Sequence, residues 1–190
     1  EICACLVGSE MCIRDSVNYV APYMLTRQLL PLMQPGCRIV NTVSCTYAIG
    51  RIEPDFFEKG KNGRFFRIPV YGNTKLALLL FTQELAKRIQ DKGITINASD
   101  PGIVSTNMIT MQAWFDPLTD ILFRPFIKTP AQGAATAIHL ALSNEAKDKN
   151  GCCYANCKKR NVSERIRHHT QQKQLWDDTE ILLRQKGIRF

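Results

Sequence analysis

Apolar positions recur three and four apart over residues 17–33, where Val20, Tyr23 with Met24, Arg27, Leu30 and Met33 share one largely apolar face. That spacing predicts an amphipathic helix. Pro22 is tolerable in its first turn, and Pro35-Gly36 stops the run. The pattern then changes period. R-I-V-N-T-V-S over 38–44 is short and β-branched, which predicts a strand buried on both faces. Residues 45–68 are polar and glycine-containing and read as a loop with a helical turn near 55–58. A long helix is predicted over 70–90, with Leu78, Phe81, Leu85 and Ile89 on its apolar face, Lys87, Arg88 and Gln90 facing water, and Lys92-Gly93 as its stop. I-T-I-N-A-S alternates as a strand and breaks at Asp100-Pro101-Gly102. After a loop rich in Met, Trp and Phe comes a helix with Thr129 as its cap and Pro130 at its first position. A strand over 151–156 and a basic terminal helix close the chain.

Helices alternating with strands across short connections imply an α/β fold with right-handed crossovers and a parallel sheet. Ligands of such sheets gather beyond the carboxyl ends of the strands. Ser44 and the Asp100-Pro101-Gly102 turn both fall at such ends, and Tyr71 starts the helix that leaves the loop between them. Tyr71 and Lys75 are four apart, which puts a phenol and an ammonium on one helical face. A nearby cation stabilises a phenolate, so Lys75 is expected to lower the Tyr71 pKa and make the phenol a usable acid or base. Alone, Y-x-x-x-K is a weak pattern; its place at the strand ends gives it weight.

Composition changes this picture little. The chain has 190 residues, enough for one domain with a substantial core, and 45% hydrophobic against 22% charged residues is ordinary for a globular protein. No apolar run reaches the roughly 20 residues that span a bilayer, and the first ten residues lack the basic and apolar segments of a secretory signal. The eight cysteines are expected as reduced thiols. Cys152, Cys153 and Cys157 lack the paired spacing of a zinc site, and no metal is expected. Net charge is +8, and residues 158–190 hold nine Lys/Arg against four Asp/Glu. That tail reads as a solvated helix face, with a membrane surface kept as a candidate partner and nucleic acid set aside for want of an aromatic-interleaved motif.

Over 17–188 the chain resembles the short-chain dehydrogenase/reductase family, and within it the retinol dehydrogenase-like branch. The strings that carry the resemblance are V-N-Y-V-A-P-Y-M-L-T, R-I-V-N-T-V-S, V-Y-G-N-T-K-L-A, F-T-Q-E-L-A-K-R, D-P-G-I-V-S-T-N, F-I-K-T-P-A-Q-G-A and the late Leu175-Trp176. The 27 residues separating Ser44 from Tyr71 resemble the insertion of that branch. The resemblance implies a Rossmann-like sheet with helices on both faces, forming the carboxyl-terminal portion of a doubly wound fold. It implies a catalytic set of Asn18, Ser44, Tyr71 and Lys75. Tyr71 would be the general acid/base, Lys75 would lower its pKa and hold the cofactor ribose, Ser44 would hold the substrate oxygen, and Asn18 would support the lysine through a water. Tyr71, Lys75, Pro101, Gly102 and Thr106 would contact the cofactor, NAD(P) with NADP favoured. The substrate class is an alcohol or carbonyl on a small apolar molecule, with a retinoid as one candidate. Met111, Trp114, Phe115, Leu118, Phe123 and Phe126 would wall its site. The location implied is intracellular, either cytoplasmic or at the endoplasmic reticulum membrane.

Three departures qualify the resemblance. Asp100 stands where this branch usually carries another residue, and Val43-Ser44-Cys45 stands where a pair of serines is common. No G-x-x-x-G-x-G loop, the backbone cradle for a pyrophosphate, occurs in the 190 residues. The chain therefore reads as residues 17–190 of a partial dehydrogenase domain, expected to be inactive by itself. Residues 1–16 are unpatterned, and V-G-S-E-M-C-I-R-D-S resembles translated adapter sequence, so that segment is expected to be non-native. The alternative reading is a catalytically inactive fragment or binding module that uses its basic tail.

Overall fold

The structure, a computed structural model, describes residues 15–54, 56, 57, 67–104 and 127–188. Its first helix, α1 (Ala21–Leu29), continues a π-helical turn (Ser16–Val20) and tightens into a 3-10 turn (Leu30–Leu32). Pro22 has no N–H to give, so it sits where the wider turn hands over to the α-helix. Strand β1 (Arg38–Thr42) leads through Ser44 into a 3-10 turn (Cys45–Ile49). Helix α2 (Arg67–Arg88) is followed by strand β2 (Thr95–Asp100), helix α3 (Pro130–Leu142), strands β3 (Cys153–Ala155) and β4 (Lys158–Lys159), and helices α4 (Glu164–Arg167) and α5 (Gln172–Gln185).

The described strands form one sheet in the order β1-β2-β3-β4. The first three run parallel, with Val40 opposite Asn97 and Ala98 opposite Cys153. The last is an antiparallel addition joined to β3 by Asn156 and Cys157, both at positive φ (52° and 59°). Two such residues make the hairpin turn that suits the right-handed twist of a strand pair. Helix α3 covers one face through Leu140 and Tyr154, capped as the sequence predicts: Thr129 Oγ1 accepts from the Gln132 N–H, and the Gln132 side chain accepts in return. Helices α1, α2 and α5 cover the other face.

Helix α2 is the centre of the core. Leu76, Leu79, Leu80 and Leu85 are fully buried, so the helix is apolar around most of its circumference rather than along one stripe. It begins three residues before the predicted start, with Pro69 in its first turn. Gly93, at φ +64°, ends the connection to β2 as expected. Strand β1 corrects the sequence reading. Ile39 and Val40 are half-buried and Thr42 is exposed, because β1 is an end strand beside a groove of about 670 Å³ walled by α1. The buried Asn41 remains satisfied by donating to Thr82 Oγ1 at 2.9 Å.

Trp176 locks α5 onto this layer. Its ring stacks on Phe81 at 5.7 Å and meets Tyr23 edge-on at 5.2 Å, with the guanidinium carbons of Arg27 and Arg88 4.9 Å and 4.2 Å from its centroid. Arg27 also pairs with Glu180 at 2.8 Å. Trp176→Ala removes a fully packed aromatic and should lower unfolding free energy by about 3–5 kcal/mol. Chemical denaturation checks this, and a loss below 1 kcal/mol would contradict the packing role.

Candidate active site

The site forms where the carboxyl ends of β1 and β2 meet the first turns of α2. Ser44 leaves β1 in extended conformation and caps the 3-10 turn. Its carbonyl accepts from the Tyr47 N–H at 2.9 Å and its hydroxyl from the Thr46 N–H at 3.4 Å. Helix α2 lies against that turn through two glycines. A Cβ on Gly72 would stand 2.8 Å from the Thr46 carbonyl oxygen, and one on Gly50 would stand 2.5 Å from the Gly72 oxygen. Only bare backbone permits this approach. Asn73 fixes it laterally by accepting the Arg51 N–H at 2.8 Å. The result sets the Tyr71 phenol beside the Ser44 side chain, whose hydroxyl favours the phenolate.

Lys75 extends along the same helical face. Its ammonium donates to the Thr42 carbonyl at 3.0 Å and lies 5.5 Å from the Tyr71 ring centroid. Asn18 reaches α2 from the π-turn, donating to Thr74 Oγ1 at 3.4 Å, and Thr74 Oγ1 donates to the Tyr71 carbonyl at 2.8 Å. Asn18 thus contacts the turn that carries Tyr71. Pro101 and Gly102 follow β2, with Gly102 at φ +77° and its N–H donating to Asp100 Oδ1 at 3.0 Å. Asn18, Ser44, Tyr71, Lys75, Pro101 and Gly102 therefore collect at one end of the sheet. Thr106 and the apolar segment from Met111 to Phe126 lie outside the described residues.

Electrostatics correct one expectation. The Tyr71 phenol lies above its ordinary pKa: burial penalises the phenolate, the bond to Ser44 pulls the other way, and the charges of Cys45 and Asp100 add to the rise. Burial also holds the Lys75 ammonium below its ordinary value. The expectation that Lys75 lowers the Tyr71 pKa is overturned: burial sets the direction, and the phenol keeps its proton at neutral pH.

Behind these groups the Asp100 carboxylate, 2% exposed, pairs with Arg160 at 2.8 Å. The Arg160 guanidinium lies 5.9 Å from the Tyr47 ring centroid. Burial pushes the neighbouring Tyr47 phenol up to about 12 and the Cys153 thiol up to about 11.

Residues 57–114 match the family model described as short chain dehydrogenase. Retinol dehydrogenase 12 of Mus musculus is 37% identical over 176 residues, covering 92% of this chain and 54% of that protein. Retinol dehydrogenase 14 of Homo sapiens is 34% identical over 183 residues, covering 93% of this chain and 53% of that protein. The chain belongs to the short-chain dehydrogenase family.

Its sequence places it on the retinol dehydrogenase-like branch, and it spans about half the length of the curated relatives it matches. The family fold is shared with solved structures. A short chain dehydrogenase from Burkholderia cenocepacia J2315 in complex with NADP aligns over 74% of this chain and 52% of that one, at TM-score 0.56 and 22% identity. A blue fluorescent protein from a metagenomic library in complex with NADPH aligns over 74% and 51%, at TM-score 0.56 and 26% identity.

Sequence reasoning missed the glycine pair that seats the short-chain dehydrogenase helix, the Asn73 tie, and the Asp100–Arg160 pair. Gly72 sits inside the motif string itself, yet its partner Gly50 is 22 residues away and nothing local links them.

Ser44→Ala deletes the one contact that pulls the Tyr71 phenol down. The Tyr71 ionisation should therefore move further up in pH. Ultraviolet difference titration, with Tyr71→Phe subtracted to isolate the signal, measures it; an unchanged or lower pKa would contradict the contact.

Proposed function

We propose that the protein to which this chain belongs is an NAD(P)-dependent oxidoreductase interconverting an alcohol and a carbonyl on an apolar substrate, with a retinoid as the leading candidate. The observation that carries this reading is the gathering of Ser44, Tyr71 and Lys75 at the carboxyl end of the sheet, with the Lys75 ammonium 5.5 Å from the Tyr71 ring centroid. The similarity to retinol dehydrogenases supports the substrate class. NADP is favoured over NAD because the aligned Burkholderia short chain dehydrogenase is in complex with NADP and the metagenomic blue fluorescent protein with NADPH.

The residues present fit one end of such a cofactor. Tyr71, Lys75 and the Pro101-Gly102 turn lie together beyond the strand ends and would hold its ribose and nicotinamide, with Thr106 assigned to the same group by resemblance. The 190 residues contain no glycine-rich loop for the pyrophosphate. The bound dinucleotide supplies the hydride.

The chain's own residues supply the proton. Ser44 Oγ and Tyr71 Oη are paired donors onto which a substrate oxygen can be received, so charge developing on that oxygen meets two preorganised hydrogen bonds. With its pKa raised, Tyr71 holds its proton at neutral pH and donates it as the carbonyl becomes an alkoxide, a far stronger base than the phenolate it leaves. Lys75, next to the ring, offsets the charge that then appears on the phenolate. Thr74 and Asn18 fix the helical turn beneath Tyr71.

In the protein at the family's full length, Tyr71→Phe should reduce kcat at least about a hundredfold and leave nucleotide affinity near wild type. Steady-state turnover with fluorescence titration of NADPH measures both, and retained turnover would refute the role of Tyr71. The 190 residues by themselves should give no saturable NADPH signal at micromolar concentration; such a signal would show that the pyrophosphate seat is dispensable.

A further inference from the structure

The turn that carries Pro101 and Gly102 is held from behind by a side chain to which no role has been given. Lys128 enters as backbone first. Its N–H donates to the Ile103 carbonyl at 2.8 Å, and it forms a parallel bridge with Val104, two residues past Gly102. Its side chain then crosses Gly102, where a Cβ would stand 2.9 Å from Lys128 Nζ and 3.2 Å from Cε. The ammonium donates to the Pro101 carbonyl at 2.8 Å and to Asn156 Oδ1 at 2.6 Å. Asn156 is a fixed acceptor. It occupies a left-handed position (φ 52°) in the β3–β4 hairpin, and the next N–H, of Cys157, donates to the buried Thr136 hydroxyl on α3 at 3.2 Å. The same hairpin continues into Arg160, which grips Asp100 at the start of the turn.

Resting on the dehydrogenase reading, we propose that Lys128 is a positioning residue for the cofactor: it clamps the Pro101-Gly102 turn to the β3–β4 hairpin and so fixes the surface offered to the nicotinamide. The chemistry suits the task. An ammonium makes charge-assisted bonds to two neutral acceptors at once, one on the turn and one on the hairpin. Without the clamp, Gly102 is a glycine in a connection held by the Asp100 bond to its N–H, by the Asp100–Arg160 pair at its start and by the Lys128 main-chain bridge, and a nucleotide must order the rest of that turn as it binds.

The test uses the protein at the family's full length with Lys128→Met, and with Asn156→Gly as the second variant. Glycine tolerates the positive φ while deleting the side-chain acceptor. Hydrogen exchange should quicken about tenfold at the Gly102 amide in both variants and stay unchanged at Ile96 in mid-strand. The KM for NADPH should rise about tenfold, with kcat and the KM for the carbonyl substrate within about twofold of wild type. Lys128→Arg, which keeps a multidentate cation, should recover most of the loss. Unchanged exchange at Gly102 overturns the clamp. Faster exchange with an unchanged nucleotide KM overturns its role in holding the cofactor. Failure of the dehydrogenase reading shows differently, as absent turnover in the unsubstituted protein, and leaves the exchange measurement intact.

Discussion

The close approach of Gly72 to the Cys45–Ile49 turn is the constraint on which the site depends. Ser44 belongs to a strand end and Tyr71 to a helix start, and the chain between them is long. They meet because α2 can press its backbone onto Thr46 and Gly50 with no Cβ in between. A methyl group on Gly72 would sit 2.8 Å from the Thr46 oxygen, closer than real Cβ contacts allow, and the helix would have to withdraw. Such a withdrawal would carry the Tyr71 phenol away from the Ser44 side chain. The rest of α2 then anchors this end: Leu76 to Phe81 fill the core, and Trp176 clasps the far side of that layer.

Burial decides how the site titrates. A lysine near a tyrosine suggests a lowered phenol pKa, and that inference considers the pair alone. In the folded chain both groups lose water. The penalty on the phenolate exceeds what the Ser44 bond returns, and the penalty on the ammonium weakens the cation's own charge state. The outcome is a phenol that keeps its proton at neutral pH. The aspartate of the D-P-G turn contributes to the same rise while its partner Arg160 ties the turn to the carboxyl-terminal hairpin.

Periodicity made the elements legible and left their depth unread. The β-branched run ending in V-S gave β1 and placed Ser44 at its end, and the alternating I-T-I-N-A-S gave β2 within a residue. The Thr129-Pro130 cap was readable because a capping box is local chemistry. What escaped was non-local. Half-burial of Ile39 and Val40 follows from β1 being an end strand, which a seven-residue window cannot reveal. Gly50 with Gly72, Lys128 with Pro101 and Asn156, and Asp100 with Arg160 are contacts across 22, 27, 28 and 60 residues, and each looks unremarkable in sequence. The V-Y-G-N-T-K string was readable through its family likeness, and the geometry explains why that string contains a glycine.

The central claim is that Tyr71 and Ser44 jointly receive the reacting oxygen. A crystal structure of the protein at the family's full length, with NADPH and an apolar carbonyl ligand bound, tests it most directly. The carbonyl oxygen should lie within about 2.6–3.2 Å of both Tyr71 Oη and Ser44 Oγ. A ligand oxygen held by other groups, with Tyr71 and Ser44 still bonded only to each other, would contradict the account.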